Sequence, residues 1–156
     1  MQKDDVEQVW RFFPLVREKC RRVLFDPEEA QDVAQDTFIR LWKSGLPLDD
    51  VRRVTAWLYK TATRLSIDRL RERAVRQRGV DSAVFAPDLQ RLAESRQLLA
   101  RLSVAAPPDE LDAAVLDRLD GLSQLEISEV LGVSVRTVRR LVSRFDARVA
   151  TLQEQP

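Results

Sequence analysis

The stretch Gly121–Phe145, GLSQLEISEVLGVSVRTVRRLVSRF, contains the start and stop signals of two short helices joined by a tight turn. Ser123 is a favoured N-cap residue, and Glu126 follows three positions later, where its side chain completes a capping box. Gly132 stands where a helix ends in the left-handed conformation, which glycine adopts without steric cost. Ser134 is in position to cap a second helix. The pattern predicts a helix-turn-helix whose second helix enters the major groove of DNA.

The second of these helices has an apolar and a basic side. The apolar residues recur at three- and four-residue spacing, at Val138, Leu141, Val142 and Phe145. On the other side, Arg136, Arg140 and Arg144 form like-charge pairs that each destabilise an isolated helix by roughly 0.2–0.5 kcal/mol. An ordinary solvated helix is the alternative, but neutralisation by phosphates favours contact with DNA. The candidate DNA-binding residues of this helix are Ser134, Val135, Arg136, Thr137, Arg139, Arg140, Ser143 and Arg144.

A second candidate surface lies on a helix predicted from Asp26 and Pro27 to Lys43. Aspartate at the N-cap followed by proline in the first turn is a helix-start signal. The polar side of this helix presents Asp32, Gln35, Asp36 and Ile39. An exposed isoleucine among acids suggests a docking surface for a basic protein partner. An ordinary solvated side has the same pattern, so both interpretations stand at this point.

A third candidate surface lies on a long basic helix, for which Thr55 is the predicted N-cap. The whole chain has a formal net charge of only +1, but Arg52–Arg78 contains nine basic residues and two acids, whereas Asp81–Val133 contains four arginines and ten acids. Trp57 and Tyr59 are interleaved with the basic residues, although such aromatic side chains more often belong to a core. The pattern favours DNA contact, for which the candidates are Lys60, Thr63, Arg64, Arg71 and Arg73.

The composition predicts an all-α protein, because glycine is scarce and runs of β-branched residues are absent. Residues 76–87 lose helical periodicity and contain Gly79, Ser82 and Pro87, which is typical of a linker. We therefore predict two small helical domains, residues 1–75 and 88–156, joined by a flexible linker at 76–87. The second domain ends in the helix-turn-helix.

Several functional classes are disfavoured by what the sequence lacks. Histidine is absent and Cys20 is the single cysteine, which excludes a disulfide framework or a Cys/His metal site within one chain. There is no Gly-rich phosphate loop and no carboxylate cluster at metal-ligand spacing. We therefore expect no enzymatic activity, no metal and no cofactor. A charged N-terminus and the lack of a long apolar run predict a cytoplasmic protein.

Three stretches together resemble the extracytoplasmic-function (ECF) group of bacterial sigma factors, which are initiation factors of RNA polymerase. Asp26–Trp42 is similar to the helix with which the family binds core polymerase, and its D-x-x-Q-[DE]-x-F pattern is present. Ala56–Arg73 is similar to the helix that contacts and opens the −10 promoter element. Gly121–Leu141 is similar to the helix-turn-helix that reads the −35 element. The stretches occur in the order found in the family.

The resemblance implies a promoter-specificity factor that works when bound to core RNA polymerase. It implies that Asp32, Gln35, Asp36 and Ile39 contact the polymerase and that the two basic helices contact promoter DNA. It also implies restraint by an anti-sigma factor. The alternative is a stand-alone helix-turn-helix regulator, which leaves the acidic side of the Asp26–Lys43 helix unexplained.

Overall fold

The computed structural model describes residues 3–76 and 87–155, and these residues form α-helices with one π-helical segment. The helices of the N-terminal half are α1 Lys3–Trp10, α2 Phe13–Leu24, α3 Pro27–Ser44 and α4 Val51–Arg76. Those of the C-terminal half are α5 Pro87–Ala105, α6 Pro108–Ala114, α7 Gln124–Leu131 and α8 Val135–Glu154, with the π-helical segment Val115–Leu119 continuing α6. The predicted all-α class is confirmed.

Helix α3 begins at the signal that the sequence predicts and ends at Ser44, one residue beyond the predicted Lys43. The Asp26 side chain accepts hydrogen bonds from the backbone N–H groups of Glu28 and Glu29, at 2.9 and 3.2 Å. Pro27 occupies the first turn, where its missing N–H needs no partner. Gly45 ends the helix in the left-handed conformation, with φ of 70°.

Helix α4 begins one turn earlier than predicted. Thr55 lies inside the helix, where its hydroxyl donates to the Val51 carbonyl at 2.7 Å. The start is instead set by Asp50, whose carboxylate accepts from the Arg53 N–H at 3.1 Å. Aspartate is a stronger cap than threonine, and a threonine hydroxyl inside a helix bonds back to the carbonyl four residues before it. The predicted cap at Thr55 was wrong for this reason.

An aromatic cluster joins α1, α2 and α3. Phe38 is buried, and the ring of Trp10 meets it edge-on with centroids 5.1 Å apart. Trp10 also stacks on Phe13 at 4.9 Å, while Trp42 lies 6.3 Å from Phe38. The helical spacing of Trp10 with Val9 and Phe13 predicts that it is a core residue. In the structure Trp10 remains 50% exposed, so it instead covers the edge of the core.

The two halves of the chain share one hydrophobic core. Leu102 and Leu111 of the C-terminal half belong to the same buried cluster as Val23, Phe38 and Leu58 of the N-terminal half. Helix α4 contacts α5, α6 and α7 as well as α2 and α3. The predicted linker at 76–87 lies almost entirely outside the described residues, since α4 extends to Arg76 and α5 starts at Pro87. Within the described ranges, no helix combines the length and apolarity needed to cross a membrane.

We expect Phe38→Ala to lower the free energy of unfolding by about 3–5 kcal/mol, because it opens a cavity inside the aromatic cluster. The neighbouring Ile39 is 48% exposed, so Ile39→Ala is a matched control with an expected cost of about 0.5 kcal/mol or less. Urea unfolding followed by circular dichroism compares the two variants. Equal costs for the two substitutions would contradict the packing described.

Candidate nucleic-acid and polymerase interfaces

The turn between α7 and α8 is built from the predicted local signals. Ser123 and Glu126 form a reciprocal capping box: the Ser123 N–H donates to the Glu126 carboxylate at 2.7 Å, and the Glu126 N–H donates to Ser123 Oγ at 3.2 Å. Gly132 ends α7 with φ of 68°. Ser134 then caps α8 by accepting from the Thr137 N–H at 3.1 Å. These bonds fix where each helix begins and therefore the direction in which α8 leaves the turn.

A small separate core holds α7 and α8 at a defined angle. Leu116, Ile127 and Val138 are buried against one another. Partly buried residues pack around them, namely Tyr59, Leu122, Val130, Leu131 and Val142. Because Tyr59 belongs to α4, the helix-turn-helix also packs against the N-terminal half.

Helix α8 presents its predicted DNA-binding residues outward. Arg136, Arg139, Arg140, Ser143 and Arg144 are exposed, as is Ser134, while Val135 and Thr137 are half-buried. Within the described residues, no carboxylate lies within ion-pair distance of Arg136, Arg140 or Arg144. The like-charge spacing predicted from the sequence is therefore not relieved by acids of this part of the chain.

One arginine of α8 is held by a residue that the sequence does not single out as a site residue. Arg139 Nε donates to Gln124 Oε1 at 2.8 Å, across the turn from α8 to the start of α7. The fifteen-residue separation hides this pair from any helical-spacing argument. Gln124 therefore restricts the orientation of the Arg139 guanidinium on the outer surface of the helix-turn-helix.

The acidic surface of α3 is assembled as the sequence predicts. Asp32, Gln35 and Ile39 are exposed on one side of the helix, and the Asp36 side chain is half-exposed. A carboxylate oxygen of Asp36 lies 3.4 Å from Arg40 Nε. This pair is exposed, so the carboxylates of Asp32 and Asp36 both remain accessible to a partner.

The predicted DNA-binding residues of α4 do not form a single open surface. Lys60 is half-buried, and Thr63 is buried with its hydroxyl donating to the Tyr59 carbonyl at 2.8 Å. Arg64 Nε pairs with Asp112 of α6 at 3.2 Å. Arg71 donates to the Ser103 carbonyl of α5. In this arrangement, the side chains of Arg64 and Arg71 are bound by residues of the C-terminal half.

Arg73 is engaged inside the N-terminal half. Its guanidinium pairs with Glu29 of α3 and donates to the Leu24 carbonyl at the end of α2, at 3.0 Å. Burial lowers the pKa of the Arg73 guanidinium, which nevertheless stays protonated. These contacts tie the end of α4 to the α2–α3 junction.

The contact between the halves contains further charged residues that the sequence does not reveal as a group. Asp120, which follows the π-helical segment, pairs with both Lys19 and Arg22 of α2. Arg52, near the start of α4, pairs with Glu129 of α7. Each pair joins residues more than seventy positions apart, so only the tertiary structure brings them together.

The fold and the outward arginines of α8 define a helical DNA-binding protein of the helix-turn-helix class. Residues 9–76 match the family description Sigma-70 region 2, and residues 107–144 match Sigma-70, region 4. The chain is 32% identical to the ECF RNA polymerase sigma factor SigL of Mycobacterium tuberculosis over 154 residues, covering 94% of this chain and 83% of that protein. It is 29% identical to the ECF sigma factor SigW of Bacillus subtilis over 141 residues, covering 80% of this chain and 75% of SigW.

A solved structure of CnrH in complex with the cytosolic domain of CnrY is 25% identical, with a TM-score of 0.59 over 99% of this chain and 90% of that chain. The chain belongs to the ECF RNA polymerase sigma factor family. It is a promoter-recognising sigma factor, as the ordered stretches of the sequence predict.

The left-handed turn at Gly132 gives a test of the helix-turn-helix geometry. A Cβ added at Gly132 meets nothing within 4 Å, so the cost of Gly132→Ala comes from its positive φ alone. We expect Gly132→Ala to lower the free energy of unfolding by about 1–2 kcal/mol. Gly132→Asn is the matched control, because asparagine tolerates this conformation better and should lose less stability. Urea midpoints measure both, and an alanine variant as stable as wild type would contradict the turn.

Proposed function

We propose that this chain binds core RNA polymerase through the outer side of α3 and contacts the two promoter elements through α4 and α8. The observation that carries the proposal is the accessibility of two chemically opposite surfaces. The α3 surface is acidic, while the outer side of α8 is rich in arginine. One protein with both surfaces suits a factor that must bind another protein and DNA at the same time.

On this proposal, Asp32, Gln35, Asp36 and Ile39 form the polymerase-binding surface. Ile39 supplies an exposed apolar contact at the C-terminal end of this surface, and the carboxylates of Asp32 and Asp36 favour a basic partner surface. We also propose that residues 1–75 and 88–156 act as separate domains when polymerase and DNA are bound. The segment 76–87 then allows them to reach promoter elements that lie apart.

At the −35 element, we propose that contacts divide by chemistry. Arg139, Arg140 and Arg144 suit phosphate contacts that fix the position of α8 on the duplex. Arg136 lies in the first turn of α8, where recognition helices reach base edges, and an arginine there suits a bidentate contact with guanine. Ser134, Val135, Thr137 and Ser143 border these arginines. At the −10 element, the proposed contacts are Lys60, Arg64 and Arg71. Thr63 and Arg73, which the sequence also predicts there, have partners inside the N-terminal half and are not proposed as contacts.

We further propose that the protein acts in the cytoplasm, where core polymerase and promoter DNA meet, by binding and without enzymatic activity of its own. An anti-sigma factor is a proposed partner, supported by the related CnrH structure, which contains the cytosolic domain of CnrY. The stand-alone regulator is not favoured, because it requires neither an acidic α3 surface nor the two matched sigma regions in order.

The direct test is run-off transcription with purified core polymerase on fragmented genomic DNA, with and without this protein. We expect discrete transcripts that require both components, and their start sites will supply the promoter sequence. DNA fragments shifted by the protein alone, with no polymerase-dependent transcript, would support the stand-alone regulator instead.

We expect Asp32→Arg combined with Asp36→Arg to abolish binding to core polymerase, because like charges then face the basic partner surface. The matched control is Glu94→Arg with Glu154→Arg, which changes the net charge equally at exposed positions on α5 and α8. Pull-down with tagged core polymerase measures binding, and circular dichroism verifies folding. Retained binding by the folded α3 variant would refute the assignment of this surface.

We expect Arg136→Ala to weaken binding of the polymerase-bound protein to its promoter by about 1–3 kcal/mol and to relax sequence preference at one position of the −35 element. Arg140→Ala should weaken binding to all sequences alike, because phosphate contacts carry little sequence information. Arg91→Ala, on the exposed side of α5, is the control. Filter binding to a panel of single-base promoter variants separates these effects. If the wild type and the three variants bind every promoter variant with the same affinity, α8 is excluded as the reading helix.

A further inference from the structure

A buried charge cluster lies where the C-terminal half meets α2 and α4. The Asp120 side chain is 1% exposed and that of Lys19 is 0% exposed, and the two form an ion pair. Arg22 Nη2 lies 2.8 Å from the other Asp120 carboxylate oxygen. The Lys19 ammonium also lies 5.2 Å from the centre of the Tyr59 ring. Two cations of the N-terminal half thus contact one carboxylate of the C-terminal half, and an aromatic ring lies beside one of these cations.

Backbone hydrogen bonds on both sides of Asp120 fix its position in the turn after α6. The Asp120 N–H donates to the Val115 carbonyl at 3.1 Å, which closes the π-helical turn. Gly121 follows with φ of 67°, and the Leu122 N–H returns to the Leu116 carbonyl at 3.0 Å. π-Helical turns are rare and occur often at functional sites. The local backbone therefore restricts where the Asp120 carboxylate lies relative to the C-terminal half.

In the other polar contacts between the halves, the cation again comes from the N-terminal half and the oxygen atom from the C-terminal half. Asp112 of α6 meets Arg64 of α4, and the Ser103 carbonyl of α5 meets Arg71. Glu129 of α7 meets Arg52 near the start of α4. In each contact the C-terminal half supplies the oxygen and the N-terminal half supplies the cation. The C-terminal half therefore presents two carboxylates and one carbonyl oxygen to the cations of α4, where DNA would present phosphate oxygens.

The cluster is poorly suited to serve only as a stabilising contact. Burial lowers the pKa of Lys19, although the attraction of Asp120 acts in the opposite direction. Burial likewise raises the pKa of the Asp112 carboxyl, against the effect of its bond with Arg64. Replacing buried ion pairs by apolar residues is often neutral or stabilising. Charged residues at these positions have a clearer role if they are exposed to another ligand when the halves separate.

We propose that Lys19 and Arg22, beside the ring of Tyr59, form a binding site for a backbone phosphate of promoter DNA that Asp120 covers in this closed arrangement. The inference rests on the proposed function, because it requires α4 to contact DNA. A carboxylate held by an ammonium and a guanidinium occupies the position that a phosphate would take. Closure and DNA binding at this site then exclude each other, since one anion fills the site at a time.

The first experiment uses the full chain without polymerase. Asp120→Asn removes the charge that covers the site, so we expect an increased radius of gyration by small-angle X-ray scattering. We also expect roughly tenfold or more tighter binding of a promoter oligonucleotide spanning the −10 element, because a larger fraction of molecules is competent to bind. Fluorescence anisotropy at one fixed salt concentration measures the affinity. A folded Asp120→Asn variant with the radius of gyration and the DNA affinity of the wild type would overturn the proposal.

The matched control is Glu110→Gln. Glu110 is also a buried acid paired with an arginine, but its partner Arg148 lies on α8 of the same half, at 3.0 Å. This variant should keep the wild-type radius and DNA affinity. Equal effects of Glu110→Gln and Asp120→Asn would overturn the proposal, because any loss of a buried pair would then suffice. Asp112→Asn, which loosens the contact with Arg64, provides a second opening variant if Asp120→Asn does not fold.

The second experiment separates the phosphate site from simple opening. Adding Lys19→Gln and Arg22→Gln to Asp120→Asn should leave the protein open but remove most of the gain in DNA affinity and reduce the salt dependence of binding. An open triple variant that keeps the full gain would overturn the phosphate site. Inorganic phosphate that binds the Asp120→Asn variant as tightly as the oligonucleotide does, at matched ionic strength, would overturn DNA as the ligand in favour of a small anion.

The proposed function is tested independently in the same set of variants. The covered site alone would be refuted if the wild-type protein supports polymerase-dependent transcription while the Asp120→Asn variant keeps the wild-type radius of gyration and DNA affinity. Failure of wild-type protein to support any transcript would instead refute the proposed function. In the polymerase-bound state, we expect Lys19→Gln with Arg22→Gln to reduce promoter retention several-fold, with core binding unchanged.

Discussion

Helix α4 must bury apolar side chains on more than one side of its axis, and both halves of the protein pack against it. Leu58 and Leu70 enter the shared core, while Tyr59 packs against the small core of the helix-turn-helix. The same helix carries a high density of arginine. Its cationic groups must therefore lie close to packing surfaces, and partners for them have to come from whatever element covers the helix.

That constraint explains the charge distribution of the chain. The net charge is near neutrality, yet half of the 26 basic residues lie on α4 and α8, and the segment Asp81–Val133 between these helices contains ten acids and four arginines. In the closed arrangement, Asp112, Glu129 and Asp120 neutralise cations of α4 and α2. The arginines at positions 136, 139, 140 and 144 of α8 remain exposed to solvent. The two basic helices thus differ in availability: the contacts proposed for α8 are ready in the free protein, and those proposed for α4 are partly occupied.

Local signals in the sequence predicted the helix-turn-helix well, because each of them acts within a few residues. The capping box of Ser123 and Glu126, the left-handed Gly132 and the Ser134 cap need no tertiary partner to be favourable. The same type of reasoning failed at Thr55, where a stronger cap five residues earlier, Asp50, competes for the helix start. Helix ends are decided by competition among neighbouring caps, which a single favourable residue does not reveal.

Side-chain environment was harder to predict than helical structure. The spacing of Trp10 indicates a core residue, but its position at the open end of the aromatic cluster leaves half of it exposed. The sequence predicts that Thr63 and Arg73 belong to a DNA-binding surface, yet in the structure both side chains have partners inside the N-terminal half. A helical repeat specifies the side of a helix on which a residue lies, but it does not specify what packs against that side.

By itself, the sequence determined the all-α class, the helix-turn-helix, the acidic side of α3 and the family to which the chain belongs. Each of these depends on residue types at short, fixed spacing, which local hydrogen bonding and helical periodicity convert directly into structure. Only the tertiary structure decided that Asp120 meets Lys19 and Arg22, and that Asp112 meets Arg64. These partners are separated by long stretches of chain, and they come together because the apolar surfaces of both halves are removed from water around α4.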